Sequence, residues 1–376
     1  MQSRYLSLSP HNLVRVILGE RRAGDSESDN VYTRAARYLD DWIASGVLAR
    51  DRQAGIFPYF QEFTVPDTGE RLVRKGFIAL GAVEDYSAGV VHRHEQTLSG
   101  PKKDRLELLR HTHAHCGQLF MLYPDPEGAI DGLLDEAAKF APIATVTDEY
   151  GAVHTVWRMD DAARGVVHQL MADKKLLIAD GHHRYETALA FRNENPGLPG
   201  ADRVMMTFVN MHSPGLKILA THRLVSGLDG GDFADRFVRA GFLVVEASSL
   251  DSLKRAWDAA GDRTIIGAAI GSRLYVIEDR EAKGELDVRV LHEKLLGQAL
   301  GIGEEAVRDE KHLRYIRGLD AAVQEVRKGA AQIAFLLKPV GVEQVAATSF
   351  AGGVMPQKST DFYPKLLSGL TIYRLG

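Results

Sequence analysis

Hydrophobic and polar positions along this chain follow two periods, and the switches between them predict its elements. Between Asn30 and Ser45 the apolar residues Ala35, Leu39, Trp42 and Ile43 recur at helical spacing, with Asn30 placed to cap the helix and Gly46 to stop it. Strand patterns over 56–63 and 72–83 flank Asp67-Thr68-Gly69, which reads as a hairpin turn. Further strands are expected over 119–123, 154–159, 176–179 and 204–209. Helices are expected over 107–116 and 130–140, and from Asp160 or Asp161 to about 173. The pattern restarts near residue 226. Helices over 233–240, 250–259, 288–300 and 320–328 alternate with strands over 242–245, 264–270, 273–278 and 333–337, and a short strand over 369–374 closes the chain. This succession predicts a mixed α/β architecture. Three parts are expected: an α/β region over 1–225, an α/β subdomain over 226–340, and a segment over 341–376 that returns to complete a site.

Composition narrows the functional classes. A chain of 376 residues suits more than one core. The formal net charge of −4 argues against a general nucleic-acid binder, which is usually basic. One cysteine, Cys116, excludes an internal disulfide and fits a reducing compartment. There is no run of 18 apolar residues and no signal-peptide layout, so the expectation is a cytoplasmic protein with no membrane partner.

The most informative stretch runs from Ile178 to Leu189. It reads as a buried strand, a tight turn at Gly181 and a helix that buries Tyr185, Ala188 and Leu189. Six of the eight residues from Asp180 to Thr187 are polar, which packing alone does not explain. The amides of a helix first turn, with the helix dipole behind them, form an anion site. His182, His183 and Arg184 add donors suited to phosphate oxygens. Asp180 is the competing element, because a capping carboxylate would occupy those amides.

Other polar clusters are His94-Glu95-Gln96-Thr97 with Lys102, Asp104 and Arg105, then Thr221-His222-Arg223, and the loop from Met355 to Leu366 with Lys358, Ser359, Thr360, Tyr363 and Lys365. Rigid punctuation by Pro356 and Pro364 marks that loop as a binding loop rather than a linker. His111, His113 and His115 suggest a metal site, but on a helix only His111 and His115 would share a face, and a surface helix is the better reading. No phosphate-binding P-loop and no nucleophile elbow is present.

These motifs together resemble the bacterial family catalogued as domain of unknown function 1015, over nearly the whole chain. The residues that carry the resemblance are His94–Thr97, Pro101–Arg105, Ala179–Leu189, Thr221–Leu224 and Met355–Leu366. Family members usually begin with an extra segment bearing a Pro-Pro-Tyr-Asp-Val-like motif, and this chain starts downstream of it. The strand-turn-helix is similar to that of the ParB/sulfiredoxin superfamily, whose members include kinases of free serine. The resemblance therefore implies a ParB/sulfiredoxin-like core and a role near phosphoserine metabolism.

The resulting expectation is a small-molecule phosphoryl-transfer enzyme that binds ATP or ADP with Mg²⁺. A small-molecule phosphatase and a non-catalytic nucleotide-binding regulator are the alternatives. Catalytic roles fall to Asp180, Glu95 or Glu186 as base or metal ligand, and to His182 or His183 as acid or nucleophile. Gly181, Arg184, Thr187, His94, Thr97, Lys102, Asp104, Arg105, His222, Arg223, Lys358, Ser359, Thr360, Tyr363 and Lys365 are assigned to phosphate or substrate binding.

Overall fold

A computed structural model of the chain describes residues 2–95 and 100–376, the side chains of 100–102 excepted. The architecture is mixed α/β, with strands and helices interleaved throughout. The chain forms two compact units. Unit 1 contains the residues up to Thr64, then Arg71–Leu216 and Pro364–Gly376. Unit 2 contains Val65–Glu70 and Lys217–Tyr363.

The strands of unit 1 include β1 (Phe57–Thr64), β2 (Arg71–Ala82), β3 (Val91–Arg93), β4 (Ala114–His115), β5 (Leu119–Tyr123), β6 (Ala144–Thr147), β7 (Val153–Val156), β8 (Leu176–Asp180) and β9 (Arg203–Asn210). Eight of them form one sheet in the order β3-β8-β5-β9-β2-β1-β7-β6. The β3/β8 and β5/β9 pairs are parallel and the rest are antiparallel. The five residues of β5 are all buried, as are the first four of β8, which explains why both read as continuous apolar runs. The main core gathers Phe77, Leu119, Met121, Ile178, Tyr185 and Met206 between this sheet and its helices.

The Val31–Ala44 helix starts where the pattern places it. The Asn30 side chain accepts from the amides of Tyr32 and Thr33, and the Thr33 hydroxyl accepts from the Asn30 amide. Asn30→Ala is expected to destabilise the protein by roughly 1 kcal/mol, read as a lower urea midpoint at unchanged slope.

Three expected elements are corrected. The helix expected over 107–116 is Gly100–Thr112, because His113 takes a left-handed φ of 47° that ends it. The following pair, β4, joins a two-stranded sheet with Tyr373–Arg374. His115 is therefore on a strand, stacked on Tyr373, and shares no helix face with His111. The closing strand expected over 369–374 shrinks to Tyr373–Arg374. The helix expected over 288–300 is a short α-helix, Asp287–Val290, continuing as a π-helix, Leu291–Ala299.

Unit 2 is a six-stranded antiparallel sheet ordered Leu243–Ala247, Arg273–Lys283, Arg263–Ile270, Ile333–Leu336, His222–Val225, Leu313–Ile316, with a separate pair, Lys217–Leu219 and Asp361–Tyr363. Its core is a second cluster that includes Leu224, Leu253, Val323 and Leu336. Among the described residues no helix is long and apolar enough to cross a membrane.

Candidate functional site

The strand β8 delivers Asp180 to the edge of the unit 1 core, and Gly181 turns the chain into the His182–Glu194 helix. Gly181 has a φ of 99°, which side-chain-bearing residues rarely adopt, and a Cβ there would lie 2.9 Å from Leu119 Cδ2. The helix is anchored behind the turn. Tyr185, Ala188 and Phe191 are buried, and the Tyr185 hydroxyl donates to the Glu84 carbonyl at 2.7 Å and accepts from the Glu84 amide at 2.9 Å.

Asp180 does not cap this helix. The helix N-terminus carries no side-chain cap. Instead the carboxylate pairs with two cations: Arg184 NH2 donates to Oδ2 at 2.8 Å, and Lys365 Nζ donates to Oδ1 at 3.3 Å. Burial pushes the Asp180 carboxyl up, but Lys365 and Arg184 outweigh it and hold the group below the usual carboxylate range. Burial lowers the Arg184 guanidinium, with Asp180 opposing the change.

His94 and His182 meet edge to face, ring centroids 4.7 Å apart. His94 is fully buried and its Nδ1 donates to the Ile178 carbonyl at 2.7 Å, which leaves Nε2 as the ring's acceptor. Burial lowers the His94 and His182 imidazoles to about 4 and about 3, so both are neutral near pH 7. His182 Nε2 is buried with no hydrogen-bond partner among the described residues. Thr187 is buried and its hydroxyl donates to the His183 carbonyl. Glu186 is mostly buried, 3.8 Å from Arg93, and does not point into solvent.

Within unit 1 the structure thus gathers His94, Asp180, Gly181, His182, Arg184 and Lys365, from three distant parts of the chain. Glu95 follows His94 and is half-buried. Asp104 and Arg105 have structural partners. Asp104 accepts from Arg21 and the Tyr32 hydroxyl, and Arg105 donates to the Ile17 carbonyl. Thr97 and the Lys102 side chain lie outside the described residues.

His222, Arg223, Lys358, Ser359, Thr360 and Tyr363 belong to unit 2. His222 is buried and its Nδ1 accepts the Leu337 amide. The Arg223 guanidinium donates to the carbonyls of Thr221, Gln357 and Lys358, so it ties the 357–358 backbone to its own strand. Lys358 has a left-handed φ of 58°, and the Ser359 hydroxyl donates to the Pro356 carbonyl. Tyr363 lies under the Arg317 guanidinium. Arg223 and Ser359 line a cavity of about 200 Å³ in this unit, together with Asp287 and Lys338. Burial pushes Asp287 up to about 6, with Lys338 opposing the change.

Sequence reading missed the residues behind the site. Tyr59, Gln61, Arg74 and His154 form a buried polar group in the sheet. Gln61 and Arg74 stand next to Glu62 and Lys75, and polar residues within a strand pattern read as surface. Among the described residues no group of three His, Cys, Asp or Glu side chains is arranged to hold a metal ion.

The architecture and the strand-turn-helix site define a mixed α/β protein of the kind the motifs suggest. The chain belongs to the DUF1015 family of proteins of unknown function, whose sequence model matches residues 1–292. No curated protein matches the sequence at a significant level. Among solved structures it is similar to a conserved hypothetical protein from Pyrococcus furiosus, with 17% identity and a TM-score of 0.40 over 76% of this chain and 90% of that one. It is also similar to a free serine kinase variant in complex with AMP, with 16% identity and a TM-score of 0.42 over 76% and 86% of the two chains. A third is truncated SbnI from Staphylococcus aureus, with 10% identity and a TM-score of 0.41 over 77% and 85%.

Proposed function

We propose that the protein transfers a phosphoryl group from a nucleotide to a small hydroxyl compound, with the Gly181–Arg184 turn as its phosphate site. The observation that carries this reading is the orientation of Asp180. Its carboxylate is turned to Arg184 and Lys365, so the helix N-terminus has no side-chain cap and keeps its dipole for a ligand anion. Arg184 and Lys365 then bracket the phosphate with positive charge. Phosphoryl transfer needs positioning and charge neutralisation more than covalent chemistry, and this set supplies both.

In the reaction the acceptor hydroxyl oxygen bonds to the terminal phosphorus, the bond from that phosphorus to the nucleotide oxygen breaks, and the hydroxyl proton goes to Asp180. A carboxylate held below its usual range is a weak base. Asp180 therefore orients the hydroxyl and takes its proton late, as the new bond forms. Mg²⁺ would come with the nucleotide, held by phosphate oxygens and at most the Asp180 carboxylate. No step above depends on it.

Calorimetry with ATP and ADP, followed by mass spectrometry for phosphoserine after adding L-serine, tests the reading. Binding of either nucleotide and formation of phosphoserine are expected. Absence of binding by both nucleotides overturns it. Phosphate release from phosphoserine without nucleotide would move the assignment to a phosphatase using the same cations, with His182 or His183 as the nucleophile.

A further inference from the structure

The row of buried polar residues behind the site has no evident packing purpose. Arg74 and His154 lie directly opposite Gln61, on β2 and β7 either side of β1. Tyr59 is on the same face of β1, two residues away. All four are at most 1% exposed. Burying polar groups is costly unless each finds a partner, and apolar side chains would fill this face without that cost.

Three of the four, Tyr59, Gln61 and Arg74, reach one stretch of backbone. Arg74 donates to the Pro364 carbonyl and to Gln61 Oε1. Gln61 Nε2 donates to the Lys365 carbonyl at 3.1 Å. The Tyr59 hydroxyl accepts the Leu367 amide at 3.3 Å and donates to His154 Nδ1 at 2.7 Å, while His154 Nε2 donates to Asp148 at 3.0 Å. Residues 364–367 are in neither helix nor strand, so they depend on side chains for hydrogen bonds. Lys365, whose carbonyl Gln61 holds, is the residue whose ammonium reaches Asp180. Arg74 also touches the site from behind. Its guanidinium lies 4.5 Å over the Phe120 ring, and the Phe120 backbone pairs with Asp180 across β5 and β8.

We propose that Gln61, Arg74 and Tyr59 are positioning residues that clamp residues 364–367 so that Lys365 is held at the Asp180 carboxylate. The proposal rests on the reading of Asp180 and Lys365 as site groups. The clamp acts at a distance from any ligand, through the backbone of Lys365.

The Asp180 carboxyl ¹³C chemical shift at pH 7, where the protein is folded, tests it, with the signal assigned by its loss in Asp180→Asn. Lys365→Met is expected to move that signal, because it takes the ammonium away from Oδ1. Gln61→Leu is expected to move it in the same direction, and to add nothing in the Lys365→Met background, because both act on one contact. If Gln61→Leu does not fold, Tyr59→Phe gives the same reading from the other end of the segment. The proposal is overturned if the folded clamp variant leaves the signal at its wild-type position, or if its effect adds in full to that of Lys365→Met. ADP calorimetry on the same variants separates the two claims. Failure of the wild-type protein to bind ADP removes the nucleotide reading, while the carboxyl signal still decides the clamp.

Discussion

Lowering the pH from 7 to 4.5 is expected to unfold unit 1 of the protein. His94 and His182 in unit 1 and His222 in unit 2 are buried and neutral, with burial lowering them from 6.5 to about 4, about 3 and about 4. When the folded pKa lies below the unfolded one, the unfolded chain takes up protons first as the pH falls. The cost therefore begins near 6.5, grows as the pH drops, and levels off only below the folded values. At pH 4.5 each of these three histidines removes roughly 2.5 kcal/mol, so unit 1 loses about 5 kcal/mol, the stability of a marginal domain, and unit 2 about half of that. Asp287 works in the opposite direction, because its raised pKa adds stability as the pH falls through about 6. Asp180 is held low, so its contribution is present above 3.8 and is lost only in stronger acid. Circular dichroism against pH checks this. A midpoint between pH 6 and 4.5 is expected, and a chain still folded at pH 4 contradicts the assignment of neutral buried histidines.

Asp180→Asn is expected to reduce phosphoryl transfer by roughly a hundred- to ten-thousand-fold while leaving nucleotide affinity equal or tighter. The amide takes no proton from the acceptor hydroxyl, which removes turnover. It also frees Arg184 and Lys365 from their carboxylate partner, which makes more positive charge available to phosphate. Single-turnover phosphoserine formation and ADP calorimetry on the same preparation separate the two effects. Unchanged turnover would remove Asp180 from the chemistry. Lost affinity would mean that Asp180 organises the turn and does not serve as base.

Much of the fold was legible because the local signals agreed with the tertiary outcome. The helix at Val31–Ala44 has its cap, its apolar stripe and its stop residue in the sequence. β8 and the helix after Gly181 were legible for the same reason: a short apolar run, a glycine with positive φ and apolar residues at i, i+3 and i+4. The strand β4 was not, nor was its pairing with Tyr373–Arg374, the part of the expected closing strand that forms. Each is two residues long, and they are paired across more than half the chain, so no local periodicity marks the pairing.

The site followed the same division. Asp180, Gly181, His182 and Arg184 are neighbours in sequence, and their clustered polarity was visible without coordinates. Whether Asp180 would cap the helix or turn away was undecidable locally, because both orientations satisfy the carboxylate. The tertiary structure decides it by bringing Lys365 to one oxygen while Arg184 takes the other.

The sequence alone therefore determined the mixed α/β class and the strand-turn-helix with its concentration of charge, because hydrophobic period, capping and glycine φ act over a few residues. Only the tertiary structure decided which distant residues meet that turn, and that a buried row of Tyr59, Gln61, Arg74 and His154 supports the segment that carries Lys365. Those contacts are long-range, and they form only after the strands have paired and water has been excluded from the sheet.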